Sequence, residues 1–326
     1  MNAPTSVREP ILRLTPQHTG ANGFASSKTL ASWYCLGRAN HVKRGRVTAM
    51  SIGSARIALW RDEHGRIDAV PARCPHLGAD LTQGRVERGS LICPMHAWKF
   101  GASGRACLPV VEAHGLVFVR LGDEPTISET WVRMPGEALD LRKPWLLPSQ
   151  TIRASGHLVL GNGFDTGHYG PLHGVELEDA RVHDLNASAV YPVNIRARLT
   201  GKRRWSVLGM HGTRVEARFI GVGAGLTWVV CREPLSFAVL FSATPIDVAC
   251  GGGCRTQVAF FPPSGSSLRK LKALALMYGL VYDDRRVLER MRFQRNWTSG
   301  DACLRGYAEM IDRLPACDGD GGRACD

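Results

Sequence analysis

No hydrophobic run in this sequence is long enough to cross a bilayer. The longest, residues 273–282, falls well short of the roughly 20 apolar residues that a spanning helix needs. Residues 1–20 carry charges and prolines but no apolar core, so no secretory leader is expected and the expected compartment is the cytoplasm. No Gly-x-Gly-x-x-Gly opens a strand–helix unit, and there is no P-loop; Gly221, Gly223 and Gly225 have the wrong spacing. A built-in nicotinamide or flavin domain is therefore not expected. Acidic residues are few, 29 against 41 Lys and Arg, for a net charge of +12. The positive charges are scattered, with small clusters at 202–204 and 269–272, and no basic run is interleaved with aromatics. That pattern reads as a solvated basic surface, with neither nucleic acid nor membrane as partner. Ten cysteines in 326 residues are too sparse for a disulfide scaffold.

What remains is globular composition, 44% hydrophobic and 21% charged, with length for about two domains. Residues 1–27 read as a flexible arm broken by Pro4, Pro10 and Pro16. Residues 28–124 read as a small all-β domain, with strands at 47–52, 55–60, 67–70, 90–93 and 116–121. A proline-bearing linker, 123–150, leads into a second domain, taken as 125–315. There, 156–168 can form a helix that runs into an irregular 170–174. Strands are expected at 187–199, 203–211, 214–222, 226–232, 237–245 and 256–261, as one large antiparallel sheet. Helical spacing over 266–295 and 301–314 adds two helices, and residues 316–326 read as a loose tail. The fold class is α+β.

Two constellations carry chemistry. Cys74-Pro75-His76 is followed, sixteen residues later, by Cys93-Pro94-Met95-His96. Two thiolates and two imidazoles on paired loops make a metal site by ligand type. The ion could be a single zinc, or the site a [2Fe–2S] centre in which the cysteines hold one iron and the histidines the other. Zinc fingers usually pair Cys with Cys and His with His on each arm, whereas each loop here supplies one of each. That mixed arrangement suits two irons. Gly78, Gly84 and Gly89 permit tight loops, and Trp98 and Phe100 follow the second. The second constellation is Asn162-x2-Asp165-x2-His168-x4-His173. Two histidines five apart can converge on one metal, and a carboxylate from elsewhere would complete the face that binds Fe(II) with open positions. Taken alone, such a pair is more often structural.

The block from Cys74 to Phe100 resembles the Rieske signature, and with the second pattern the chain resembles Rieske-type non-haem iron oxygenases over nearly its whole length. Around residues 30–34 it is similar to aminopyrrolnitrin-type arylamine N-oxygenases. The resemblance implies a Rieske domain followed by a helix-grip, START-like catalytic domain with a C-terminal helix. It implies that Cys74, His76, Cys93 and His96 hold the [2Fe–2S] cluster. His168 and His173 become ligands of a mononuclear Fe(II), and Asn162 lies close to that iron. Asp165 bridges His168 to His96 of a neighbouring subunit. The third ligand comes from the C-terminal helix, where Asp283 and Asp284 point about 100° apart; placement five residues before Glu289 favours Asp284. The resemblance further implies O2 as cosubstrate, a separate reductase drawing on NAD(P)H, a ferredoxin, a homotrimer, and a small aromatic or heterocyclic substrate to be hydroxylated, N-oxygenated or demethylated. The alternatives are an electron carrier without oxygenase activity and a steroid-type Rieske oxygenase. The remaining cysteines, Cys250 and Cys254 included, and His157, His183 and His211 read as core or surface groups.

Overall fold

The computed structural model describes residues 29–101, 107–122, 127–135, 143–183, 189–247 and 252–317. The expected N-terminal arm, Cys250, and residues 318–326 of the expected tail lie outside these.

Nine strands build the first part: β1 (Ser32–Arg38), β2 (Val47–Ile52), β3 (Ala55–Arg61), β4 (Ile67–Pro71), β5 (Arg85–Glu87), β6 (Ser90–Ile92), β7 (Lys99–Phe100), β8 (Val110–Ala113) and β9 (Leu116–Leu121). They form three antiparallel three-stranded sheets, in the orders β1-β9-β8, β2-β3-β4 and β5-β6-β7. The β2-β3 and β3-β4 connections are tight because Gly53 and Gly65 adopt positive φ, which costs glycine little. β3 and β9 are buried almost throughout, as befits strands packed on both faces.

The second part begins with α1 (Thr130–Arg133), β10 (Trp145–Leu146), β11 (Gln150–Ile152) and α2 (Gly156–Gly161). It continues through β12 (Val175–Val182), β13 (Val190–Leu199), α3 (Arg203–Val207), β14 (Arg214–Val222), β15 (Leu226–Glu233), β16 (Phe237–Pro245) and β17 (Cys254–Phe261). The last elements are α4 (Ser267–Leu288) and α5 (Ala302–Asp312). Seven strands run β10-β17-β16-β15-β14-β13-β12, and β11 also pairs with β17. Every pairing in this sheet is antiparallel. Along β13, Val193, Ile195, Ala197 and Leu199 are buried, while Asn194 and Arg198 face water. That period of two marks a sheet with one covered and one wet face. The wet face is laced by ion pairs such as Arg198–Glu178 and Arg214–Glu178. The N-terminal all-β part and the large antiparallel sheet agree with the α+β expectation.

One hydrophobic core runs from β1 through the large sheet to α5. β1 is the bridge: Ser32 Oγ accepts from Ala224 N at 3.0 Å, and Thr244 Oγ1 donates to the Cys35 carbonyl at 2.6 Å. Residues 315 and 317 hydrogen-bond back to Ala31 and Thr29.

Local expectations fail in several places; the helix expected over 266–295 ends at Leu288, and the expected linker 123–150 holds α1 and β10. Residues 203–211, expected as a strand, instead hold the short helix α3 and a turn closed by Met210 N to Trp205 O at 2.7 Å. Tertiary burial of Trp205 outweighs its strand preference. β12 was not expected, because Glu176, Glu178, Asp179 and Arg181 make it look like solvent-exposed loop; it is the edge strand of the sheet. Regular helix after Gly156 stops at Gly161 and gives way to single 3₁₀ turns.

Candidate metal centres

The first centre is two loops of one shape. Cys74 N donates to Ala79 O and Cys93 N to Trp98 O, both at 2.8 Å. The fifth residue of each loop, Gly78 or Ala97, donates back to the cysteine carbonyl, at 2.8 and 3.2 Å. Both residues have positive φ, +75° and +57°. The cysteines are buried on a small core of Trp60, Leu81, Leu91 and Phe100, and Trp60 Nε1 anchors that core to the Gly89 carbonyl at 2.9 Å. The histidines point outward and are exposed. Their Nδ1 atoms are 3.2 Å apart, and His76 stacks on Trp98 with centroids 4.6 Å apart.

The two thiols lie in contact. Burial raises Cys74. Burial opposes ionisation of Cys93 as well, but the N–H groups of His96 and Met95 aimed at its sulfur hold it below the usual thiol range. Sulfurs cradled by backbone N–H groups suit thiolate ligands, and hydrogen bonds of this kind help set a cluster's potential. Two sulfurs on one side and two facing Nδ1 atoms on the other fit a [2Fe–2S] group.

The second centre lies where α2 runs out. After Gly161 the chain makes two 3₁₀ turns and then one π-turn, Tyr169–His173, ending at Gly174 with φ +64°. A Cβ on Gly174 would sit 2.7 Å from Gly201 C, so only glycine fits. This irregular backbone brings His168 and His173 together, with ring centroids 5.0 Å apart. α4 supplies the third group. Asp284 Oδ1 lies 2.8 Å from His173 Nε2 and 3.8 Å from His168 Nε2. Candidate ligand atoms of all three residues fall within 4.8 Å of one another. Asp284 Oδ1 is buried without a hydrogen-bond donor of acceptable geometry among the described residues. A carboxylate oxygen stranded beside two imidazole nitrogens is costly unless a cation joins them, so the donor set fits a divalent metal. Asp283 turns away and pairs with Arg204 at 3.0 Å.

Neighbouring groups orient these ligands. Asp165 Oδ2 lies 3.2 Å from His168 Nδ1, and its Oδ1 accepts from Gly167 N at 3.1 Å. Burial opposes ionisation of Asp165, but contact with His168 and that N–H hold its carboxyl below the usual range. Asn162 Nδ2 stands 3.5 Å from His168 Nε2. Tyr169, its ionisation suppressed by burial and then by Asp284 and Asp165, donates to Gly163 O at 2.6 Å. Sequence reading did not single out Trp205. Its Nε1 donates to the His173 carbonyl at 2.9 Å, and its ring lies against Gly279 of α4. It thus ties the histidine turn to the helix that carries Asp284. No sequence signal marks it, because α3 is recognisable only in three dimensions.

Beside this centre is a cavity of about 180 Å³, as swept by the centre of a water molecule. Its wall is overwhelmingly aliphatic and aromatic, drawn from the covered face of the sheet and from Leu276, Met277, Leu280 and Leu288 of α4. The polar groups are largely engaged: Ser242 Oγ donates to Gln257 O at 2.9 Å, and Thr256 Oγ1 to Gln150 O at 3.2 Å. Arg285, at the margin, is held by Glu289 and Gln150 at 3.1 and 3.0 Å.

Residues 32–113 match the family model of the Rieske [2Fe–2S] domain. Among curated proteins, the chain is 25% identical over 170 residues to the oxygenase component of 3-ketosteroid-9-alpha-monooxygenase from Rhodococcus rhodochrous, covering 46% of this chain and 43% of that protein. It is 30% identical over 158 residues to 4beta-methylsterol monooxygenase of Methylococcus capsulatus, covering 42% of each. It is 33% identical over 81 residues to aminopyrrolnitrin oxygenase PrnD of Pseudomonas fluorescens, covering 25% of this chain and 22% of that one. The matched segments thus span less than half the length of these relatives. The fold is that of the oxygenase in the oxygenase–ferredoxin complex of carbazole 1,9a-dioxygenase (TM-score 0.64, 16% identity, 89% of this chain and 92% of that one). It is also that of dicamba monooxygenase (TM-score 0.57, 14% identity, 89% and 97%). The chain therefore carries a Rieske [2Fe–2S] domain and is homologous to oxygenase components of Rieske systems.

Proposed function

We propose that this chain is the oxygenase component of a multicomponent Rieske non-haem iron system, which uses O2 and externally supplied electrons to oxidise a small aromatic or heterocyclic molecule. One observation carries the reading. A single chain presents both a Cys–His loop pair and a buried two-histidine, one-carboxylate cluster, and the second opens on an apolar cavity. An electron carrier needs only the first.

Cys74, Cys93, His76 and His96 would hold the [2Fe–2S] group, and His168, His173 and Asp284 the Fe(II). The cluster supplies one-electron transfer, and the iron, with open positions beside three protein ligands, supplies dioxygen chemistry. The protein's own part is positional. Asp165, its carboxylate 3.2 Å from His168 Nδ1, would keep the proton on that nitrogen, leave the Nε2 lone pair to the metal position and fix the ring. The Asp165 side chain also retains some exposure. This suits the assigned contact with His96 of a neighbouring copy, in a closed ring of three subunits. With His96 given to that contact, the exposed His76 leaves an edge of the cluster open to a ferredoxin fed by a reductase. Asn162, in contact with His168, borders the cavity.

The cavity wall determines what fits. Arg285, its cationic residue, is already committed to Glu289 and Gln150, so a carboxylate substrate finds no free partner and a neutral one is favoured. An apolar cavity of about 150 Å³ admits benzene. At about 180 Å³ this one has room for an aromatic ring beside the metal position. Iron analysis of purified, metal-replete protein tests the central reading. Three irons per chain are expected, two in the cluster and one beside the histidines; two irons would leave an electron carrier. A panel of neutral arylamines, phenols and steroids, turned over with a surrogate reductase, tests the substrate class.

A further inference from the structure

The helix that supplies Asp284 is apolar on two opposite faces. Its inner face, with Ala273, Leu276, Met277 and Leu280, packs on the core and lines the cavity. Its outer face repeats apolar residues at alternating spacings of three and four: Leu268, Leu271, Ala275, Tyr278 and Tyr282. At 100° per residue these make one stripe roughly 21 Å long on the side away from the core. They are not minor exposures: Leu268 is 62% exposed, Leu271 60%, Tyr278 42% and Tyr282 66%. Val207, on the helix α3 packed beside α4, is 76% exposed. Large apolar side chains aligned this way on a surface mark an interaction site.

The charges around the stripe choose its partner. Arg269, Lys270 and Lys272 stand at its N-terminal end and Arg286 at its C-terminal end. Three cations near a helix N-terminus oppose the helix dipole, so they do not serve the helix itself. The acids of α4 and of its C-cap are committed elsewhere: Asp283 to Arg204, Asp284 inward to His173, and the C-cap Glu289 to Arg285. Among the described residues, no carboxylate pairs with these four cations. A second copy packed stripe to stripe would set like charges against one another. An aliphatic and tyrosine stripe with Lys272 beside one end and Arg286 at the other is instead the pattern of a helix lying in the headgroup region of an anionic bilayer. We propose that the outer face of α4 docks this protein onto anionic lipid membranes. Nothing here spans the bilayer, and no helix among the described residues is long and apolar enough to do so. The expectation of no membrane partner rests on positive charge that is scattered in the sequence; on α4 the small 269–272 cluster stands at the end of an exposed apolar stripe. Because the inner face of the same helix lines the cavity, an apolar compound dissolved in lipid would meet the protein beside its binding site.

Sedimentation of the full-length protein with vesicles tests this without any turnover, so it stands apart from the oxygenase reading. Vesicles of phosphatidylcholine with phosphatidylglycerol should bind the protein, and those of phosphatidylcholine alone should not. Raising the salt should release it. The Lys272→Gln, Arg286→Gln pair should weaken binding on the order of thirtyfold. A Leu271→Gln, Tyr278→Ser, Tyr282→Ser triple should abolish it while leaving the cluster's visible spectrum and the thermal midpoint in place. Failure of the unaltered protein to bind either vesicle overturns the proposal. So does binding that the triple leaves unchanged, or a triple that instead alters the number of subunits, which would assign the stripe to another copy of the chain.

Discussion

Gly78 and Ala97 stand at the same position in two loops of the same shape. Each has positive φ and donates its N–H to the carbonyl of the cysteine that opens its loop. An alanine thus already occupies the conformation that in the other loop is given to glycine, and nothing lies within 4 Å of a Cβ placed on Gly78. Gly78→Ala should therefore leave the cluster's visible spectrum intact and lower stability by about 1 kcal/mol, the cost of a side chain in the left-handed region. Ala97→Gly should raise it by a similar or smaller amount. Thermal or chemical unfolding of the holoprotein checks both. Loss of the cluster in Gly78→Ala would show that the two loops are not equivalent.

The adjacent aspartates of α4 have separable roles. Asp284→Ala removes the only carboxylate that reaches His173 among the described residues, so the iron content should fall from three to two per chain and product formation should cease. Asp283→Asn breaks only a part-exposed pair with Arg204. It should cost about 1 kcal/mol or less and retain all three irons. Iron analysis and turnover on both variants decide which residue is the ligand. Equal losses would mean that α4 as a whole, rather than one carboxylate, governs the site.

Asp165→Asn tests orientation rather than ligation. The amide can still approach His168 Nδ1, but it no longer offers a negatively charged acceptor on both edges, to the ring and to Gly167 N. Iron content and the cluster spectrum should be preserved. Product formation should fall by roughly ten- to a hundredfold, as is usual when the partner of a ligating histidine is lost. An Asp165→Asn protein with unchanged turnover would remove that residue from the assignment.

The candidate donor sets were more legible than the architecture around them. Cys74, His76, Cys93 and His96 could be picked out as candidate ligands because short loops put them close together in the chain. His168 and His173 are likewise five residues apart. Asp284 lies over a hundred residues away, and the helical period could only separate it from Asp283. β12 hid behind its charges, since an edge strand with one wet face resembles a loop. The cavity wall was illegible for a stricter reason. Which residues of a strand face inward depends on register, and a shift of one residue exchanges the two faces. Even the α4 stripe can be read as a core-facing period until the structure shows that its other side is the one buried.

Trp205 tests how the two ligand-bearing segments are held together. Its ring is fully buried, its N–H is spent on the His173 carbonyl, and Arg204, the partner of Asp283, lies over its face with 4.9 Å from guanidinium carbon to ring centroid. Trp205→Phe keeps most of the apolar volume but leaves that carbonyl without its donor. A buried acceptor stranded in this way costs about 1 to 3 kcal/mol. The loosened turn should also release the mononuclear iron more readily to a chelator, while the cluster, on separate loops, stays intact. Gly279→Ala approaches the same contact from the other side. Its new Cβ would stand 3.0 Å from Trp205 Cη2, so it should weaken the same iron and spare the same cluster. Parallel behaviour of the two variants would establish Trp205 as the brace between His173 and Asp284. If Trp205→Phe lost stability but held its iron as tightly as before, the residue would be reduced to core packing.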